Sequence, residues 1–222
     1  MGARSRRTLE ARVSWRLRTP RVLVVDLDGG RGSAVRARTG SMVASEGEVS
    51  FRNAGVGGGG GLRAALKQRV AGESLPLMEV SGRGSVHLAV EAGHVLLLEL
   101  AGEVLKVESE SLLCLSEGLR TDVAFTGLQG ASSGQGLFTT TVTGHGRVAL
   151  LSLGGPPIAL RVTPQTPLVV DPDAYVGSLG ELRQSFVTDV SWRALVGESS
   201  GEAFSLRFEG HGTVFVQPEE RS

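Results

Sequence analysis

The sequence predicts an all-β protein built from repeated units, with helix as a minor component. Glycine accounts for 32 of 222 residues and aromatic residues for 5%, which is typical of many tight turns and of a core made from small aliphatic side chains. Apolar and polar residues also alternate with period two in several segments, as in a strand with one buried face. The length is sufficient for one self-standing core.

Three segments follow one pattern and indicate an internal repeat. They read GESLPLMEVSGRGSVHLAV at 72–90, GQGLFTTTVTGHGRVALLS at 134–152 and GEAFSLRFEGHGTVFVQ at 201–217. Matches at nearly constant spacing are typical of repeat architectures. We therefore expect one domain over 21–218, made of three units at about 21–92, 93–153 and 154–218.

The N-terminal segment 1–20 is predicted to be a basic arm. Seven of the 23 basic residues lie in 1–21 beside a single acidic one, so the rest of the chain is mildly acidic. Such a leader is compatible with organelle targeting or with binding a polyanion. Alternation of Val13, Trp15 and Leu17 with polar residues instead favours an edge strand preceded by a short disordered start.

The glycine-rich connector 55–74 predicts one short helix near 62–70. Leu62, Leu66 and Val70 have the spacing of a packing face. A phosphate-binding loop would require a Lys and a hydroxyl residue after its last glycine, whereas Leu62 and Arg63 follow Gly61. An anion at the start of this helix remains an alternative.

Each repeat carries two glycines that predict a tight turn at a hairpin tip. Residues between them are Arg83, His145 and His211, and an Arg cannot replace an imidazole as a metal ligand. A turn, which requires positive φ angles, is therefore favoured over a metal site. The predicted turn glycines are Gly82, Gly84, Gly144, Gly146, Gly210 and Gly212.

Other residues with reactive side chains are assigned structural places. Glu108 with Glu110, and Asp171 with Asp173, could act as general acid and base, but solvated carboxylates at strand ends are the preferred interpretation. The lone Cys114 lies in an apolar run, which favours an inert core thiol.

With these motifs in place, the chain resembles the altered-inheritance-of-mitochondria-24 family, also known as domain of unknown function 124. The resemblance is carried by GGLRAALKQRVAGESLPLMEVSGRGSVHLA, VDPDAYVGS and SSGEAFSLRFEGHGTVFVQ, and it covers about residues 20–217. It implies a β-sandwich like that of the tryptophan RNA-binding attenuation protein, often oligomeric. It implies no established enzymatic activity in bacteria, no catalytic residues, and a link of mitochondrial members to inner-membrane organisation.

We therefore predict a non-catalytic, self-associating β-sandwich that serves as a scaffold for an unknown protein partner. The alternative is a module that binds a small ligand; RNA is disfavoured by the acidic body and few aromatics. Catalysis is disfavoured because no HxH pair exists among His87, His94, His145 and His211. No cofactor, metal or membrane span is expected. The expected location is the bacterial cytoplasm, or the mitochondrion if the source is eukaryotic.

Overall fold

The computed structural model describes residues 13–30, 32–53, 76–125, 138–187 and 205–220. This part of the chain is nearly all β and forms antiparallel sheets in a sandwich, so the predicted fold class is confirmed. Its strands are β1 Val13–Thr19, β2 Val22–Asp28, β3 Ala34–Arg38, β4 Met42–Asn53, β5 Leu77–Leu88, β6 His94–Ala101, β7 Leu105–Glu108, β8 Leu112–Ser116, β9 Arg120–Phe125, β10 Phe138–Thr143, β11 His145–Ser152, β12 Ile158–Val162, β13 Leu168–Val170, β14 Tyr175–Val187 and β15 Ser205–Val216.

The strands form two sheets. One has the order β1-β2-β5-β3-β8-β11-β6, with β4 paired to β5 outside this path. The other has the order β12-β15-β14-β7-β10-β9, with β13 paired to β15. Single turns of 3-10 helix at Ser109–Ser111 and Pro172–Ala174 precede β8 and β14. The predicted helix near 62–70 lies outside the described residues.

One arrangement of strands occurs three times in the described residues. The first half of β5 pairs with β3 and its second half pairs with β2. In the same way β15 pairs first with β13 and then with β12, and the successive strands β10 and β11 pair with β7 and β6. In each case the change of neighbour falls at the GxG motif.

Strand β15 follows the period-two alternation of its sequence only in part. Leu206, Phe208, Val214 and Val216 are buried and belong to one cluster. Phe215 is buried as well, because it packs on the opposite side of β15 within a second cluster that contains Leu105 and Val107. A strand covered on both faces loses the alternation that a half-exposed strand shows.

The N-terminal alternation is confirmed as a strand. β1 pairs antiparallel with β2 over nearly its full length, and Val13 and Trp15 pack against the first core cluster. Leu17 departs from this pattern because it is largely exposed. The predicted disordered start, 1–12, lies outside the described residues.

Candidate interaction surface

The GxG motifs lie within long strands, so the prediction that they form hairpin tips is wrong for Gly82, Gly84, Gly210 and Gly212. β5 and β15 continue through their motifs. Opposite them, β4 pairs Gly47 with Gly84 and Val49 with Gly82, and β14 pairs with Gly212 and Gly210 in the same way. In the middle repeat, the chain is interrupted only at Gly144, between β10 and β11.

The expected positive φ is confirmed at five of the six glycines, namely Gly82, Gly84, Gly144, Gly146 and Gly210. At Gly82, Gly84 and Gly210 the backbone of the paired strand also approaches closely, whereas a Cβ on Gly144 would meet no atom nearer than 3.4 Å. A Cβ on Gly84 would stand 2.0 Å from the carbonyl oxygen of Glu46, and one on Gly210 would stand 2.3 Å from that of Glu181. Gly212 has no left-handed φ, but its Cβ would stand 2.3 Å from the oxygen of Leu179. Only glycine fits where the opposing backbone approaches this closely.

The residues between these glycines point into solvent. Arg83, His145 and His211 are all exposed. Within the described residues, no group of three or more His, Cys, Asp or Glu side chains is arranged to hold a metal ion. His87 is buried in β5, with its Nε2 3.6 Å from Oε1 of Glu46, and His94 begins β6.

The acidic pairs cap helical turns, which differs from the solvated strand ends that we predicted. Glu108 is buried, and its Oε2 accepts hydrogen bonds from the backbone N–H groups of Glu110 and Ser111 at 2.9 and 3.2 Å. Oδ1 of Asp171 accepts one from the N–H of Asp173 at 2.9 Å. A carboxylate that binds the free N–H groups at the start of a turn stabilises that turn.

Cys114 confirms the prediction of a core thiol. It is fully buried in β8. Burial raises the pKa of this thiol well above its ordinary range, because the apolar surroundings disfavour a thiolate. It is therefore a small apolar side chain of the core.

Asp26 joins three strands through its carboxylate. Oδ1 accepts a 2.6 Å hydrogen bond from Oγ of Ser85 on β5. Oδ2 accepts one from Oγ of Ser14 at 2.9 Å and one from Nε of Arg16 at 3.3 Å, both on β1. The bond from Ser85 contributes most to lowering the pKa of Asp26 below 3.8, whereas partial burial opposes the shift. The N-terminal strand is thereby fastened to the sheet.

We expect Asp26→Asn to reduce the free energy of unfolding by about 1 kcal/mol at pH 7, since solvent screens this partly exposed carboxylate. A lowered pKa means that the ionised group stabilises the fold above about pH 3.8, and that this contribution disappears as the pH falls through the folded-state value. Urea unfolding at pH 7 and pH 3 should show the gap between variant and wild type narrowing at pH 3. Asp122→Asn, at an exposed carboxylate on β9, is the control; an equal gap at both pH values would contradict the assignment.

The strongest candidate for an interaction surface is the edge of β4. Among the strands that the structure describes, this 12-residue strand pairs only with β5, and every residue of it except Val49 is exposed. Met42, Val43 and Phe51 are among the largest exposed apolar side chains, and Val43 is 59% exposed. Unpaired N–H and C=O groups beside apolar side chains form a template for another strand.

A second apolar edge lies on β13, a three-residue strand whose one partner among the described strands is β15. Its central residue, Val169, is 49% exposed. Neither Val43 nor Val169 was predicted from the sequence to lie on an interaction surface. The sequence does show which residues correspond to Val43, because the segment 35–51 aligns with the segments that contain Leu113 and Val176. Those two residues are fully buried, whereas Val43 is exposed.

Comparison with known proteins adds the following findings. No curated protein matches the chain. A crystal structure of a protein from Streptococcus pyogenes, determined by a structural genomics consortium, is similar with a TM-score of 0.70 and 23% sequence identity, covering 94% of each chain. At that identity the likeness shows the fold. Among the described helical segments, none has the length and apolar character to cross a membrane. The family model of mitochondrial biogenesis AIM24 matches residues 15–219, and the chain therefore belongs to that family.

Proposed function

We propose that this protein is a non-catalytic scaffold that associates with further copies of itself through open strand edges. The observation that supports this proposal is the exposed edge of β4, a 12-residue strand that pairs on one side only within the described part of the chain. Proteins normally keep open strand edges short, or cover or pair them, because a long open edge recruits other strands. Association between copies is a common way to cover them.

The side chains of β4 are consistent with a specific partner rather than general stickiness. Glu46, Glu48 and Arg52 stand among the exposed apolar residues of this strand. Charges along an edge disfavour pairing with strands that do not complement them. Apolar contacts then supply affinity, while the charges and the backbone register supply selectivity.

Native mass spectrometry of the full chain, purified gently from its own host, tests this function. The expected spectrum contains a homo-oligomer of defined subunit number with no added mass. A monomer throughout the micromolar range would contradict self-association. A reproducible, stoichiometric added mass would instead support the alternative of a module that binds a small ligand.

A further inference from the structure

Neighbouring repeats are joined by the same strand pairing at two places in the chain. β8 pairs antiparallel with β3, with Cys114 opposite Ala37. β14 pairs antiparallel with β7, with Gly177 opposite Val107. In both junctions, the strand that follows the 3-10 turn of one repeat, β8 or β14, pairs with the short strand of the preceding repeat, β3 or β7.

The equivalent of these strands in the first repeat is the beginning of β4. Its pairing with β5 shifts register between Met42 and Ala44, as the pairing of β14 with β15 does between Tyr175 and Gly177. Ala44 therefore takes the place of Gly177. On the other side of the junction, Val170 takes the place of Val107, since each lies opposite the residue four positions before the first glycine of its GxG motif.

The third junction, between β13 and β4, is not formed in the structure. Both strands are fully described, and neither pairs with the other. The consequence is visible in the side chains: Leu113 and Val176 are fully buried at the closed junctions, whereas Val43 at the same position is 59% exposed. β4 and β13 are thus the two halves of one missing junction.

We propose that β13 of one copy pairs antiparallel with β4 of a second copy and completes this third junction. By analogy with the two closed junctions, Val170 would lie opposite Ala44, Val169 opposite Ser45 and Leu168 opposite Glu46. The inference rests on the proposed self-association and names its interface. Each copy offers one edge of each kind, so that two copies can pair reciprocally or several can close a ring.

A second copy is favoured as the occupant because the chain already pairs these two kinds of edge at its other junctions. The start of β4 also has the same register shift as the start of β14, which forms one of the closed junctions. The pairing would also remove the exposed parts of Val43 and Val169 from water, which favours association.

Cross-linking with introduced cysteines tests the interface. Directly opposed residues of antiparallel strands have Cα atoms about 4.5 to 5.5 Å apart, within the range that a disulfide spans. Ser45→Cys and Val169→Cys chains, co-expressed and then oxidised, should form a covalent dimer that neither chain forms alone. The native Cys114 is fully buried and does not compete. Pairing Ser45→Cys with Leu17→Cys, on the exposed part of β1, is the control and should give no dimer.

A charge substitution provides an independent readout. Val169→Lys should reduce the oligomer seen by native mass spectrometry to smaller species while leaving the circular dichroism spectrum of the folded subunit unchanged. Ile158→Lys is the matched control, because Ile158 is also 49% exposed but lies on β12, outside the junction. This control should keep the wild-type mass.

The possible outcomes separate the interface from the wider function. An oligomeric wild type whose mass survives Val169→Lys, with no Ser45–Val169 cross-link, would overturn the interface and leave self-association standing. A monomeric wild type would overturn both. A single chain that carries both Ser45→Cys and Val169→Cys provides a further test. If it formed the disulfide only within itself, the interface would also be overturned, because β13 would then pair with β4 of the same chain.

Discussion

Gly84→Ala should destabilise the protein by about 3 kcal/mol or more, a large share of the roughly 5 to 15 kcal/mol that holds a typical domain folded. Gly84 has a φ of +150°, and an added Cβ would stand 2.0 Å from the oxygen of Glu46 and 3.1 Å from Cα of Gly47. These are backbone atoms, so no change of rotamer relieves the clash. β4 and β5 would have to separate where Gly47 pairs with Gly84, and the melting temperature should fall by about 6 to 12 °C.

Two other glycines separate this crowding from backbone strain. Gly40 has a φ of +84°, and a methyl group added there would meet no atom within 4 Å, so Gly40→Ala should cost only about 1 to 2 kcal/mol. Gly118 has open space and no left-handed φ, and Gly118→Ala should change stability by less than about 0.5 kcal/mol. Urea unfolding of the three variants measures the series. If Gly84→Ala reduced the free energy of unfolding no more than Gly40→Ala does, the close pairing of β4 with β5 would tolerate a side chain at this position.

The GxG motif shows where the sequence was informative about the fold and where it was not. Its spacing located the recurring point in each repeat, and its glycines correctly indicated positive φ at positions such as Gly82 and Gly210. A hairpin tip and a close antiparallel pairing of two long strands can both require this backbone conformation. They differ in which distant strand lies opposite, here β4 for β5, and local alternation does not contain that information.

The exposure of Val43 on the candidate surface could not be predicted from the sequence, for a related reason. Val43 sits in an apolar, strand-forming stretch that aligns with core residues of the other repeats, so a reading of the sequence alone places it in the core. Val43 is exposed because none of the described strands lies beside the open edge of β4 at that point. Burial of a strand residue depends on neighbouring strands as well as on its own side chain. By contrast, the burial of Cys114 could be predicted, since apolar residues flank it on both sides.

Phe208→Ala is expected to cost about 3 to 5 kcal/mol, the range for emptying a fully buried aromatic position. Phe208 is fully buried in the third core cluster and stacks on the fully buried Tyr175, with ring centroids 5.4 Å apart and an interplanar angle of 21°. The pair links β15 to the beginning of β14. Removing one ring leaves a cavity that the two paired strands cannot close without giving up their hydrogen bonds.

Two variants identify the source of that loss. Tyr175→Phe keeps the ring but removes a hydroxyl that donates to the carbonyl oxygen of Lys106 at 3.2 Å or bonds with Oγ of Ser178 at 3.0 Å, and it should cost about 1 kcal/mol. Phe186→Ala, at a ring that is 39% exposed on the far end of β14, should cost clearly less than Phe208→Ala. Urea unfolding followed by circular dichroism gives all three values. If Phe208→Ala cost no more free energy of unfolding than Phe186→Ala, the stacked pair would not be part of the core.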